Sequence, residues 1–376
     1  MKVLLIPDKF KGSLSAEEVI DAISHGIHKV LPKAVIYTAI ASDGGDGFLE
    51  AVSHYKEVEE VDVNTFDPLG REIMASYLFQ KETEEAYIEL ARASGMVLLA
   101  SDERNPLFCS TYGTGIQIMH AIQKGAKHIY IGLGGSATND AGIGIARALG
   151  YLFFDITGNE LEPIGQNLGR IDRIQPPEIS NMLKDIEVYA VNDVNNPLFG
   201  ENGAAHIYAA QKGATPFDIE QLDLGLEHLN KIVEHQFRVT HAEIPGAGAA
   251  GGTAYGLKTF AGANFISGID FVLSIANVEE LISNESIDYI ITGEGKLDNQ
   301  TLQGKLINGV LKLGKNHNIP VIAVCGALDT KVRDLQKQGL EEVIEVRDPD
   351  KSLEYNMTNA FGLVEEGIAN FFKSTR

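Results

Sequence analysis

The chain has 376 residues, of which 44% are hydrophobic and 22% are charged, values that are ordinary for a globular protein. A net charge of −21 disfavours binding to nucleic acid or to an anionic membrane. Two cysteines without CxxC spacing indicate an intracellular, cytoplasmic protein. We expect no signal peptide and no membrane span, because no apolar run reaches the roughly 18 residues that a span needs.

The N-terminal segment predicts a strand, a loop and a helix. Residues 3–6 form a continuous apolar run, typical of a strand covered on both faces. Ser15 and Glu18 have the spacing of a capping box, and apolar residues follow at helical intervals. A second strand, 35–40, leads into the polar run 43–46.

The middle of the chain has a different pattern. Alternating polar and apolar residues between 57 and 90 predict antiparallel strands. Further strands are expected at 128–131 and 187–191, and apolar residues between 219 and 232 follow a helical period. This region therefore predicts a mixed α/β domain.

The C-terminal third returns to alternating strands and helices. Strands are expected at 289–291, 321–325 and 343–346. Two βα units at the start of the chain and three at its end would form one five-stranded parallel sheet. We therefore predict an α/β protein of two domains. A flavodoxin-like or Rossmann-like domain would comprise residues 1–62 and 286–376, and an inserted mixed α/β domain residues 63–285.

A glycine-rich run follows the predicted strand 128–131 and precedes a helical pattern. Such a turn offers free backbone N–H groups and the positive end of a helix dipole, which suit phosphate. A tight turn whose glycines only allow close packing is the alternative. The candidate phosphate-binding residues are Gly132, Gly134, Gly135, Ser136, Thr138 and Asn139.

A second glycine run, 246–252, includes Gly248 and Gly251 as further candidates for nucleotide binding. Both runs also fit the dinucleotide fingerprint GxGxxG/A, which leaves an NAD-dependent oxidoreductase as an alternative. A dinucleotide-binding fold would need an acidic residue about 20 positions after the glycines. Asp155 is the only candidate for this acid near the first run, and it is poorly placed.

Cations and carboxylates follow several predicted strands. Lys11 comes after the first strand, at the sheet edge where open parallel sheets bind ligands. Asp193 follows strand 187–191, and Lys212 comes soon after it as a candidate phosphate clamp. Solvated lysines and an Asx-turn cluster would give the same pattern.

Two more acidic runs come after strands. Asp43 lies in the run after the second strand, where a carboxylate can accept a proton or hold Mg²⁺ through water. Glu294 and Asp298, after strand 289–291, are candidate magnesium ligands, although a polar turn before a helix would look similar. No GxxxxGK[ST], HExxH or GxSxG motif occurs, so phosphate handling is the chemistry that is left.

Together these runs resemble the bacterial-type glycerate kinase family. Eight segments carry the resemblance, appear in the family's order and span nearly the whole chain. They are PDKFKGSLSA (7–16), SDGGDG (42–47), RNPLFCSTYGTG (104–115), GLGGSATNDAGIG (132–144), DVNNPLFG (193–200), AAQKGAT (209–215), GAGAAGG (246–252) and ITGEGKLDNQTLQGK (291–305).

The resemblance implies a kinase that uses ATP and Mg²⁺ to phosphorylate D-glycerate, with 2-phosphoglycerate as the favoured product and the active site in a cleft between two α/β domains. We expect Asp193 to accept the hydroxyl proton, with Asp43 as second choice, and Lys11 and Lys212 to neutralise anionic groups. A nucleotide-binding protein without catalysis is the other alternative. A homodimer is left open.

Overall fold

The computed structural model describes residues 1–40, 47–178, 183–297, 305–329, 336–337 and 339–374. The predicted site residues Asp43 and Asp298 lie outside these ranges. The chain separates into two compact units, one formed by Met1–Ser42 with Gly268–Arg376 and the other by Asp43–Ser267. Each unit is described by itself below.

In chain order, the strands are β1 (Lys2–Pro7), β2 (Val35–Thr38), β3 (Glu59–Phe66), β4 (Glu72–Gln80), β5 (Glu85–Glu89), β6 (His128–Gly132), β7 (Leu152–Phe154), β8 (Arg173–Gln175), β9 (Glu187–Val191), β10 (Asn264–Ile266), β11 (Tyr289–Leu297), β12 (Val321–Leu328) and β13 (Leu340–Glu345).

The α-helices are α1 (Ala16–Val30), α2 (Phe48–Tyr55), α3 (Ala91–Ser94), α4 (Tyr112–Lys124), α5 (Ile143–Ala148), α6 (Ala204–Tyr208), α7 (Pro216–Phe237), α8 (Ala249–Ala261), α9 (Gly268–Ile275), α10 (Val278–Asn284), α11 (Lys305–His317), α12 (Leu353–Thr358) and α13 (Ala360–Ser374).

The first unit contains a parallel sheet with the strand order β13-β12-β11-β1-β2. The expected five-stranded parallel sheet built from both chain ends is therefore present. Val3 of β1 pairs with Tyr289 on one side and Ile36 on the other. Because the chain runs outward in opposite directions from β1 and β11, their carboxyl ends form a topological switch point, where open α/β sheets bind ligands.

Helix α1 begins as expected. The Ser15 hydroxyl accepts a hydrogen bond from the Glu18 N–H, and the Glu18 carboxylate accepts one from the Ser15 N–H. The buried face of α1 packs against α13 and the sheet. Its apolar residues recur at helical spacing, so this burial follows directly from the sequence pattern.

The second unit contains a mixed six-stranded sheet with the order β10-β9-β6-β5-β4-β3. Strands β3, β4 and β5 are antiparallel, as expected from the alternating pattern, whereas β5, β6, β9 and β10 are parallel. Residues of α4, α5 and α8 share a buried core with this sheet. A second core joins α7 to the hairpin formed by β7 and β8.

The limits of the two units differ from the expected domain limits at 62 and 285. Strand β3 pairs with β4 from Glu59 to Phe66, and α2 contacts β4 and β5, so both elements belong to the second unit. Helices α9 and α10 contact each other, and α9 contacts α11, which places both in the first unit. Periodicity predicts where a helix or strand lies but not which unit it packs against, so it did not reveal these limits.

Candidate active site

The first glycine run forms a loop at the carboxyl end of β6 in the second unit. The Met96 N–H donates to the Gly135 carbonyl, and the Ala137 N–H donates to the Ser94 carbonyl, each at 2.9 Å. The Leu133 N–H donates to the carbonyl of Val191 in β9 at 3.1 Å. These bonds hold the loop in one conformation.

Three consecutive backbone N–H groups of this loop take no part in these hydrogen bonds. Among the described residues, none accepts a hydrogen bond from the backbone N–H of Gly134, Gly135 or Ser136. All three residues line a pocket of about 240 Å³ in the second unit. Successive unengaged N–H groups in a turn form an anion-binding concavity.

The helix after the loop does not add its N terminus to this pocket. Helix α5 begins only at Ile143, and the buried carboxylate of Asp140 accepts hydrogen bonds from the N–H groups of Gly142 and Gly144 at 3.1 and 3.3 Å. The same carboxylate accepts bonds from the N–H and the hydroxyl of Thr111, both at 2.8 Å. The loop itself, and not the helix dipole, therefore supplies the donors.

Lys212 lies in the short 3₁₀ turn Ala210–Lys212 and is 3% exposed. Its ammonium group donates to the Ser136 hydroxyl and to the Thr138 carbonyl, each at 2.7 Å. Desolvation by burial lowers the pKa of Lys212 to about 7, although the negative charge of Asp140 opposes this shift. Since an ammonium group has three donors, one stays available on a residue that lines the pocket.

Asp193 also lines this pocket, together with Asn192 and Val194, just past the end of β9. Tyr208 and Gln211 contribute further polar groups. The structure thus brings the expected residues Gly134, Gly135, Ser136, Asp193 and Lys212 to one pocket. A carboxylate beside an ammonium group and free N–H groups can accept a proton where an anion binds.

Thr138 and Asn139 are fully buried and do not line the pocket. The Asn139 side-chain amide and the Thr138 hydroxyl form no hydrogen bond within the described part of the chain. Gly132 is the last residue of β6, directly before the pocket-lining part of the loop. Contacts of these three residues with a ligand stay a prediction.

The second glycine run lies behind the first. Gly248 and Gly251 are buried, and Gly251 has a positive φ of 67°. A Cβ atom on Gly251 would lie 2.1 Å from the Thr138 carbonyl oxygen, and one on Gly248 would lie 2.3 Å from the Pro197 carbonyl oxygen. The neighbouring Ala249 and Ala250 line the pocket instead. Nucleotide contacts of Gly248 and Gly251 stay a prediction.

The first unit holds the expected residues Lys11 and Glu294. Lys11 lines a pocket of about 380 Å³ at the carboxyl edge of the parallel sheet. Glu294 is half-buried on β11. Within the described ranges, no group of three or more His, Cys, Asp or Glu residues is placed to hold a metal ion. Because Asp298 lies outside those ranges, the magnesium site stays a prediction.

Sequence reasoning missed several residues of these sites. The segment Ser94–Met96 that clamps the loop carries no motif, and only pairing across the fold identifies it. Asp140 had a local signal, since it directly follows Asn139 in the glycine-rich run and precedes a helix, as a capping carboxylate does. Arg347 follows β13 and lines the pocket of the first unit, so its position at a strand end was a usable signal.

The fold is that of an α/β protein, and its second unit has a pocket lined by Gly134, Gly135, Lys212 and Asp193. The model of the glycerate kinase family matches residues 3–376. A glycerate kinase of Halalkalibacterium halodurans is 37% identical over 371 residues, which cover 98% of this chain and 96% of that protein. A glycerate 2-kinase of Escherichia coli K12 is 38% identical over 346 residues, 92% of this chain and 90% of that protein.

A crystal structure from Salmonella typhimurium LT2, assigned as a candidate glycerate kinase 2, superposes with a TM-score of 0.82 at 35% identity. The match covers 100% of this chain and 98% of that one. The chain belongs to the glycerate kinase family, and the family resemblance stated from its motifs is confirmed. No helix among the described residues combines the length and apolar character needed to cross a bilayer.

Proposed function

We propose that this protein transfers the γ-phosphoryl group of ATP to D-glycerate and that the product is 2-phosphoglycerate. The relatives named glycerate kinase and glycerate 2-kinase support the reaction. One observation in the structure carries the proposal. A single pocket joins the unengaged N–H groups of Gly134, Gly135 and Ser136 to the Lys212 ammonium and the Asp193 carboxylate.

Phosphoryl transfer needs charge neutralisation and alignment more than covalent help from the protein. The N–H groups of the loop and the remaining N–H of Lys212 point to binding of an anion, either the transferring phosphoryl group or the glycerate carboxylate. Because the protein carries a net charge of −21, such local donors are needed to attract an anionic substrate.

Asp193 is the proposed proton acceptor for the attacking hydroxyl. It lies at the end of β9 and lines the same pocket as the anion donors. A carboxylate in that position takes up the hydroxyl proton as the O–P bond forms. Asp43 stays the second candidate for this role.

Glu294 and Asp298 are proposed to hold Mg²⁺ largely through water. The half-buried carboxylate of Glu294, within strand β11 of the parallel sheet, suits a hard cation in its donor chemistry. When bound, Mg²⁺ would neutralise phosphate charge. A cytoplasmic location and a homodimer stay predictions, and no observation favours the oxidoreductase or the non-catalytic alternative.

The reaction is tested with ATP, Mg²⁺ and D-glycerate in a coupled assay for ADP. ³¹P NMR of the product against 2- and 3-phosphoglycerate determines which hydroxyl is phosphorylated. Glycerate-dependent ADP formation with a single 2-phosphoglycerate signal is the expected result. ATP binding without turnover of glycerate would contradict the proposed acceptor.

Asp193→Asn tests the proton acceptor. We expect kcat to fall by about 10²-fold or more, because the amide cannot take up a proton. Asp185→Asn is the matched control, since Asp185 is exposed and lies just before the opposite end of β9. If Asp193→Asn kept the turnover of the wild type, another group would have to accept the proton.

A further inference from the structure

The pocket of the first unit differs chemically from the pocket around Lys212. It lies at the carboxyl ends of β1, β11, β12 and β13 and has a volume of about 380 Å³, within the range of sites that bind small molecules. This is the switch-point edge where open α/β sheets bind their ligands.

The charged residues among those that line this pocket are all basic. The basic residues that line it are Lys9, Lys11, Lys296 and Arg347, and among the described residues that line it none is acidic. Lys296 pairs with Asp329 at 2.9 Å, and Arg347 lies 3.6 Å from Glu345. In a chain with a net charge of −21, four basic residues around one pocket indicate an anionic ligand.

Lys9 and Lys11 are the lining residues whose ammonium groups are best placed to bind such an anion. Both are exposed, and neither forms an ion pair with any residue in the described ranges. They flank Phe10, which is 2% exposed and anchors the loop through hydrogen bonds with Leu14. The anchored turn therefore places both lysines at the same pocket.

The remaining wall is largely apolar. Val346, Leu353, Met357 and Leu363 line it beside Phe10. Leu353 is 72% exposed, so its side chain is accessible to a ligand at this wall. Glycerate carries only a carboxylate and hydroxyl groups, so it has no part that would bury this wall.

A nucleotide combines the two features that the pocket requires, an apolar ring system and a chain of phosphates. We propose that the pocket of the first unit binds the nucleotide, with the base and ribose against the apolar wall and the phosphates at Lys9 and Lys11. This inference rests on the proposed use of ATP. It assigns Lys11 to the phosphates of the nucleotide and not to the glycerate carboxylate.

Two variants test the assignment independently. Leu353→Glu places a negative charge on the apolar wall and, because the side chain is largely exposed, should not disturb folding. The double variant Lys9→Ala, Lys11→Ala removes two lining cations that form no ion pair with a described residue. Leu224→Glu is the matched control, since Leu224 is 63% exposed on α7 of the other unit.

Calorimetric titration with ADP in the presence of Mg²⁺ is the primary measurement. We expect the Kd for ADP to rise about tenfold or more in both test variants and to stay at the wild-type value in Leu224→Glu. In the coupled assay the KM for ATP should rise, while the KM for glycerate stays at its wild-type value.

The inference is overturned if both variants bind ADP as the wild type does, or if the KM for glycerate rises in place of the KM for ATP. Failure of the proposed function has a different signature, because the wild type would then form no phosphoglycerate whatever its affinity for ADP. Wild-type protein that does not bind ADP would overturn the nucleotide site directly.

Discussion

The two glycine runs of this protein look alike in sequence and occupy different environments. In the first run, Gly134 and Gly135 line a pocket and have N–H groups that no described residue engages. In the second, Gly248 and Gly251 are buried against the carbonyl groups of neighbouring loops. The first run lines a pocket, whereas the second allows the chain to pack behind the first.

The comparison shows why a glycine motif alone predicts function poorly. Glycine is required wherever a backbone has a positive φ or where another chain segment approaches closely, with or without a ligand. A glycine at a ligand site and a glycine at a packing contact differ in what occupies the space where a side chain would lie. In the second run that space holds the Thr138 carbonyl of the first run.

The largest expected effect is on stability. Gly251→Ala adds left-handed strain, and its Cβ would lie 2.1 Å from the Thr138 oxygen, so the free energy of unfolding should fall by about 3 kcal/mol or more. Gly262→Ala is the control at the other end of α8, because Gly262 has a φ of 70° and open space around it. It should cost only about 1 kcal/mol.

Chemical denaturation measures the free energy of unfolding of the two glycine variants. Because both add backbone strain and only Gly251→Ala adds a close contact, the difference between the two losses gives the cost of that contact. Equal losses in both variants would mean that the second run does not support the first through packing.

Removal of the ammonium group tests the ligand role of the first run. Lys212→Met should lower kcat/KM by about 10²-fold, because a buried cation at the anion site is replaced by an apolar side chain. Lys231→Met is the control, since Lys231 is 64% exposed on α7 and pairs with Glu227. Turnover at the wild-type level in Lys212→Met would contradict an anion-binding role for this pocket.

The pH dependence of anion binding gives a second test of Lys212. Its pKa is lowered to about 7 in the free protein, and a bound anion favours the protonated form. Affinity is therefore full well below pH 7 and falls as the pH rises through 7, by about tenfold between pH 6 and pH 8.

Sulfate is a suitable probe for this measurement because its charge is constant in that range. Its inhibition constant should rise with pH in the wild type and should be independent of pH in Lys212→Met. The same pH dependence in both proteins would assign the titration to another group.

The smallest effect is expected from Ser136→Ala. The Lys212 ammonium would lose one of its two acceptors, at 2.7 Å, and the pKa of Lys212 should fall further. We expect turnover at pH 7 to fall about fivefold, with the pH profile displaced toward acid. Ser24→Ala, which removes a hydroxyl bound to the Ile20 carbonyl in α1, should leave the profile unchanged.

Local patterns in the sequence determined much of this protein. The capping box of α1, the alternation in β3 to β5 and the apolar runs of the parallel strands all depend on residues close in the chain, so their spacing predicts them. Because parallel strands end at one edge, the polar residues after them also predict where ligands bind.

Only the tertiary structure decided which of these residues act together. Lys212 meets Ser136 across 76 positions of sequence, and its burial there produces the lowered pKa. The same packing turns Gly251 toward Thr138 and leaves Gly134 and Gly135 at the pocket. Periodicity and helix capping depend on residues close in the chain, so the sequence alone predicts them. Desolvation and close approach depend on segments distant in the chain, so only the tertiary structure shows them.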